Sequence, residues 1–208
     1  MRIAQLNGTH DLAFNMFCAD RPQFLLLTLD SYRRQHEPLD AADFDAALMM
    51  LAAAADDLYV IYNGGAAAGC SRVHKHLQGL KGPPPAFECF VDPRKRGLVP
   101  FKYFSHHFGE GFGSVTTSEM VKAYGGLISQ AKESLGLPES EAVCPHGLFL
   151  WKGWMVVIPR RKSGIAGTKA SAATGAMVGS VWLYEESPVE DWLRLGCRNV
   201  LTQLGVAP

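Results

Sequence analysis

Leu58-Tyr59-Val60-Ile61-Tyr62 runs into Asn63-Gly64-Gly65-Ala66-Ala67-Ala68-Gly69-Cys70-Ser71-Arg72 and, after Val73, into His74-Lys75-His76-Leu77-Gln78. The first five residues are apolar, β-branched or aromatic and carry no charge, which fits a fully buried strand. The next ten form a glycine-rich loop. The last five lie between that loop and the breaker Gly82-Pro83-Pro84-Pro85 and are expected to be extended. Along a strand, side chains alternate between faces. His74, His76 and Gln78 then share one face, and Lys75 and Leu77 share the other. In a helix the same three residues would be turned about 200° apart at each step and would not converge on one substrate.

Outward from this passage the chain alternates irregularly between strand and helix signals. Leu12–Phe17 and Phe24–Leu29 read as a hairpin around Asp20-Arg21-Pro22. Asp40 fits a helix N-cap with Asp43 three residues on, and Phe44, Ala47, Leu48, Leu51 and Leu58 fall near a 3.6-residue period. Phe87–Val91 suggests a further strand, and 97–113 reads as irregular. Thr116 or Ser118 caps a helix carrying Met120, Tyr124, Leu127, Ile128 and Leu135, stopped at Gly136. Leu148–Trp151 and Trp154–Ile158 form a hairpin through Lys152-Gly153. Lys162–Gly175, rich in Gly, Ala, Ser and Thr, is expected to be mobile, and Val178–Tyr184 suggests a strand. Ser187-Pro188-Val189-Glu190 starts a helix with Val189, Trp192, Leu193, Val200 and Leu204 on it, ending at Gly205. The expected class is α+β, a mainly antiparallel sheet with packed helices, in one domain over 1–208.

Composition narrows the function. Twenty basic and 20 acidic residues give a formal net charge of +0, which argues against a nucleic-acid partner while leaving room for a local anion site. Hydrophobic residues make up 48% of the chain and charged residues 19%, ordinary for a globular protein. The 5 cysteines are scattered without a CxxC pair, as expected of reduced thiols. Met1–Asp11 lacks the apolar core of a signal peptide, and Ala46–Ala55 is too short to span a bilayer. A cytoplasmic location without a membrane partner is expected.

The chemistry suggested by the central passage is transfer at phosphorus. An imidazole is nucleophilic near neutral pH, and its attack on phosphorus gives a phosphoramidate reactive enough to be passed on. A neighbouring histidine can orient the first or hold phosphate oxygens, and a glutamine amide can donate to a non-bridging oxygen. Glycines let a backbone approach an anion with its N–H groups, Ser71 adds a hydroxyl, and Arg72 adds a guanidinium fork. The loop is not a Walker A loop, since no GKS or GKT follows. A solvated strand end would account for the histidines alone but not for the loop. Two histidines at i, i+2 also suit zinc, but Gln78 is a poor third ligand, and Cys144-Pro145-His146 or His106-His107 would have to arrive by tertiary folding. No metal site is expected.

Tyr62-Asn63-Gly64-Gly65, continued by Gly69, Ser71 and His74-Lys75-His76-Leu77-Gln78, resembles the ATP adenylyltransferase (diadenosine tetraphosphate phosphorylase) branch of the histidine-triad, or HIT-like, superfamily. Phe14-Asn15-Met16-Phe17 with Phe24–Thr28, Val99-Pro100-Phe101, Trp154–Arg160, Gly175–Tyr184 and Gly196–Leu201 resemble further elements of that branch, in order along nearly the whole chain. The resemblance implies a HIT-like fold and a metal-independent nucleotidyltransferase. Such an enzyme cleaves diadenosine tetraphosphate with inorganic phosphate to ATP and ADP; Mg2+ would only accompany the nucleotide. It implies that His76 is the nucleophile, that His74 assists and orients it, and that Gln78 contacts the phosphate. Asn63, Gly64, Gly65, Gly69, Ser71 and Arg72 would line the phosphate path, Asn15 would lie near the nucleoside, and Arg160 would bind phosphate. The chain would act as a monomer or homodimer.

Departures from the family pattern suggest a changed substrate or acceptor. The match begins almost at Met1, without the family's N-terminal lysine segment. Arg72 stands for a glutamine, Val73 for a proline, Gln23 for a histidine, and Leu183-Tyr184 where a lysine is usual. Hydrolysis in place of phosphorolysis, or nucleotide binding without turnover, are the alternatives. Lys169 is a candidate to replace a lost lysine. His106 and His107 with Phe101, Tyr103, Phe104 and Phe108 are expected to pack on one another rather than wall a base pocket.

Overall fold

The structure is a computed structural model that describes residues 1–18, 21–54, 58–183 and 185–208. Asp20 of the hairpin break, Ala55, and Tyr184 at the missing-lysine position lie outside the described residues. Among the described residues, eight antiparallel strands form one sheet in the order β1-β2-β3-β5-β4-β7-β8-β6. They are β1 (Arg2–Leu6), β2 (His10–Phe14), β3 (Gln23–Thr28), β4 (Leu58–Gly64), β5 (His76–Lys81), β6 (Phe104–His107), β7 (His146–Trp151) and β8 (Trp154–Pro159). The helices are α1 (Ala41–Ala53), α2 (Phe87–Val91), α3 (Thr117–Leu135), α4 (Thr174–Met177), α5 (Ser187–Leu195) and α6 (Cys197–Leu204). The expected α+β class is the one observed.

Period-two alternation along the central strands divides the core in two. Val60 and Tyr62 of β4, Leu148 and Leu150 of β7, and Met155 and Val157 of β8 face α1 and α3. Tyr59, Ile61, Phe149, Trp151, Val156 and Ile158 face the opposite side, where Phe90, Met177, Trp192, Val200 and Leu204 cover them. Both faces of the middle of the sheet are therefore buried, which is why these strands read as unbroken apolar runs rather than as alternation.

Local chemistry fixes the starts of α1 and α3 and the end of α3 as the sequence suggested. Asp40 and Asp43 form a capping box at α1, and Thr116 and Glu119 form one at α3. Gly136 closes α3 in the left-handed region at φ 71°. Lys152 and Gly153 adopt φ 44° and 78°, the twist that joins β7 to β8 without splaying them.

Several expectations are corrected. Leu58 belongs to β4, not to the helical period before it. Phe87–Val91 is helical, because at i and i+3 Phe87 and Phe90 both reach Phe149, with ring centroids 6.4 and 5.3 Å away. β1 is an edge strand whose mostly exposed side chains leave no periodic apolar signal. β6 lies within the stretch read as irregular; it carries His106 and His107, and His107 stacks on Trp154 with centroids 4.3 Å apart. The segment 162–175 is packed: Ala170 and Ala172 are buried, and an isolated bridge joins Gly164 to Ser171. Val178–Leu183 forms no strand. The last helix is two, broken at Gly196 with φ 80°, and Ser187 is the first residue of α5 rather than its cap; Glu186 holds the N-cap position without a side-chain cap bond. No described helix is long and apolar enough to cross a membrane.

Candidate functional site

Strands β4 and β5 pair from Leu58↔Lys81 to Ile61↔Gln78 and then separate. Gln35 fills the gap. Its Oε1 accepts from the His76 N–H at 2.8 Å, and its Nε2 donates to the carbonyls of His76 at 2.9 Å and Asn63 at 3.2 Å. A side-chain amide carries both donor and acceptor, so here it stands in for a missing strand residue. Asn63 and His76, at the parted ends, line a cavity of about 490 Å³, a size suited to a small ligand.

The alternation expected for the histidine segment holds for its strand part. Lys75 and Leu77 are buried on the α1 side, where Lys75 Nζ donates to Asp43 Oδ2 at 2.6 Å and to the Pro38 carbonyl at 2.7 Å. His76 and Gln78 line the cavity. His74 precedes β5 and turns to Thr28, with Nε2 2.9 Å from the threonine Oγ1. Its main-chain carbonyl lies 2.9 Å from His76 Nδ1. A carbonyl only accepts, so Nδ1 carries the ring proton and Nε2 keeps its lone pair. Burial, and secondarily the Arg72 charge, push the His76 pKa below the ordinary histidine value. Burial thus favours the neutral ring. His74 holds this ring through its main-chain carbonyl, while its own imidazole meets Thr28.

Two amides present donors to the same space. Asn63 Oδ1 accepts from the Thr174 N–H at 2.9 Å, so Nδ2 is the group that faces outward from that bond. Gln78 Oε1 accepts from Gln23 Nε2 at 2.5 Å, which likewise leaves Gln78 Nε2 to donate. Ser71 and Arg72 add a hydroxyl and a cation to the lining.

The loop itself differs from expectation. Ala66–Ala68 is a 3₁₀ turn, and the N–H groups of Gly65, Ala68, Gly69 and Cys70 are used within the loop or on neighbouring carbonyls. Those four N–H groups are therefore committed to the turn rather than turned toward the cavity. Gly69 has φ +82°, and a Cβ there would sit 2.8 Å from the Ala172 oxygen and 2.9 Å from the Ala173 Cα. Gly69→Ala is expected to push the loop off the 172–173 segment and to weaken ligand binding in the cavity by roughly tenfold, given the cost of strain and of shifted backbone. Calorimetry on the folded variant checks this; unchanged affinity would show that the close approach does not set the cavity.

Of the residues singled out from sequence, Asn15, Asn63, Gly69, Ser71, Arg72, His76 and Gln78 meet at this cavity. His74, Gly64, Gly65 and Arg160 do not line it. Gly64 lies against His146, and Gly65 faces His36. Arg160 is 1% exposed and donates to the carbonyls of Ala172 at 2.6 Å, Lys162 at 3.1 Å, and Ala68 and Leu204 at 3.4 Å. It braces the loop from behind, and burial lowers its pKa to about 10. Lys169 bonds Ser187 Oγ at 2.7 Å and lies 3.6 Å from Glu185, so it points elsewhere. Sequence reasoning missed Gln35, Leu25, Ile61, Thr174 and the 171–176 wall, whose roles depend on partners far along the chain. Among the described residues no group of three His, Cys, Asp or Glu side chains converges as a metal site would require.

Residues 98–207 match the model of the ATP adenylyltransferase C-terminal domain, and residues 1–86 match that of the Ap4A phosphorylase N-terminal domain. The first match alone covers more than half of the 208 residues. Protein APA1 of Saccharomyces cerevisiae is 27% identical over 186 residues, covering 76% of this chain and 56% of APA1. The chain thus spans little more than half the length of that relative. A solved structure of yeast Ap4A phosphorylase Apa2 with AMP aligns at TM-score 0.81 and 20% identity, covering 99% of this chain and 75% of Apa2. Apa2 in complex with Ap4A aligns at TM-score 0.80 and 20% identity, covering 97% and 75%. These two likenesses show a common fold.

Proposed function

The chain belongs to the ATP adenylyltransferase family, and from that premise we propose that it is a nucleotidyltransferase that cleaves diadenosine tetraphosphate through a nucleotidyl-His76 intermediate. The observation that carries this reading is the His76 ring. Its Nδ1 is committed to the His74 carbonyl, its Nε2 lone pair is free, and it lines a cavity with amide donors. Nε2 attacks the α-phosphorus in line. The N–P bond forms, the bond to the bridging oxygen breaks, and ATP leaves. Inorganic phosphate then attacks the same phosphorus, the N–P bond breaks, and ADP is released. Little covalent work falls to other groups; Gln78, Asn63, Ser71 and Arg72 hold charge on the non-bridging oxygens.

Intact-mass spectrometry after mixing with diadenosine tetraphosphate tests this. A gain of one AMP, mapped to the His76 peptide and discharged by phosphate as ADP, is expected. Discharge only as AMP would make the protein a hydrolase. Absence of both adduct and product across several dinucleotide donors would end the transfer reading and leave a nucleotide-binding module.

A further inference from the structure

A chain of amides leads from the backbone to Gln78, and its polarity is fixed at one end. The Phe17 N–H donates to Asn15 Oδ1 at 3.1 Å. A backbone N–H can only donate, so Asn15 must present its oxygen to it and its Nδ2 to the next residue. Asn15 Nδ2 donates to Gln23 Oε1 at 3.1 Å, and Gln23 Nε2 donates to Gln78 Oε1 at 2.5 Å. Gln23 is 3% exposed, and its register on β3 places Leu25 directly opposite Gln78 of β5.

We infer that Gln23 is a positioning residue for transfer: it sets the direction in which the Gln78 amide faces the cavity, so that Nε2 rather than Oε1 meets the phosphoryl oxygens. Left to itself, an amide in contact with water presents either end at similar cost. An Oε1 facing an anionic oxygen would repel the charge that builds during transfer, while Nε2 donates to it. The same device holds Asn63, whose Oδ1 is pinned by the Thr174 N–H. Gln23 does not titrate, so this orientation does not depend on pH. The inference rests on the nucleotidyl-His76 reading.

The test is the rate of adduct formation at saturating diadenosine tetraphosphate. Gln23→Glu places a carboxylate that can only accept at both oxygens. Gln78 must then turn its Nε2 to that carboxylate and its Oε1 to the phosphate, and a loss of about 10²-fold is expected, as for removal of an oxyanion donor. Gln23→His, neutral above about pH 7, accepts from Asn15 at one ring nitrogen and donates to Gln78 at the other. It is expected to stay within about threefold of wild type at pH 8 and to decline as the pH falls, since an imidazolium cannot accept. In a Gln78→Ala background, Gln23→Glu is expected to cost less than about threefold more, because the group it orients is gone. Additive losses in the double variant, or a Gln23→Glu rate near wild type, would overturn the relay while the wild-type adduct still stands. Failure of the wild type to form any adduct would remove the transfer reading and the relay with it. Thermal melting of each variant separates a folding defect from a rate defect: the Gln23→His rescue and the non-additivity are not produced by loss of packing.

Discussion

Replacing His76 with alanine is expected to lower turnover of diadenosine tetraphosphate by at least about 10⁴-fold, the scale seen when a covalent nucleophile is removed. Affinity for AMP should change by less than about tenfold, because the donors from Asn63, Ser71, Arg72 and Gln78 stay in place. The protein should remain folded: the His76 backbone is held by Gln35, and only the ring and its Nδ1 bond to His74 are lost. The pH profile follows from the same geometry. Only the neutral ring attacks, and burial lowers its pKa, so protonation competes less than for a free histidine. The acid limb of the adduct-forming rate should therefore fall below pH 6.5, the ordinary histidine value. Stopped-flow or quenched-flow measurement between pH 5 and 8 checks both points. Residual activity above about one per cent in His76→Ala, or an acid limb above pH 7, would contradict a buried neutral nucleophile.

Asp43→Ala is expected to destabilise the fold by roughly 3–5 kcal/mol, a large share of the stability of an ordinary domain. Asp43 is 0% exposed and accepts from Lys75 Nζ at 2.6 Å and from the Asp40 N–H at 2.8 Å, with His10 Nε2 3.1 Å away. Its loss strands the Lys75 ammonium, itself 0% exposed, and opens the capping box of α1. Removing both charges in Asp43→Ala/Lys75→Met should recover part of the loss, since an apolar pair needs no desolvated partner. Urea denaturation of the two variants measures this. A single-variant effect under about 1 kcal/mol would show that water reaches Lys75. The cluster also bears on the site, because Lys75 anchors from below the strand that presents His76 from above.

The features readable in the sequence are those set by neighbours. The buried character of β4, the caps at Asp40 and Thr116, the Lys152-Gly153 turn, and the opposite facing of His76 and Lys75 depend on spacing, chirality and backbone hydrogen bonding within a few residues. The short apolar run Phe87–Val91 misled because five residues fit a strand or a helix equally, and contact with Phe149 decides between them. The edge strand β1 left no signal because its side chains are largely exposed.

The glycine loop shows the division within one site. Its composition marked an anion-binding place, and the cavity lies there. The N–H groups of Gly65, Ala68, Gly69 and Cys70, however, are spent on the turn that shapes it, and Arg160, expected to bind phosphate, is consumed in bracing carbonyls. The chain order alone determined that a histidine on an extended segment would stand beside a glycine loop. Which ring nitrogen of His76 is committed to a carbonyl, which end of Gln78 is bonded to Gln23, and that Gln35 bridges the parted strands were decided only by the tertiary structure. Each rests on a hydrogen bond whose partner's direction is fixed elsewhere in the chain, and spacing in sequence carries no record of that direction.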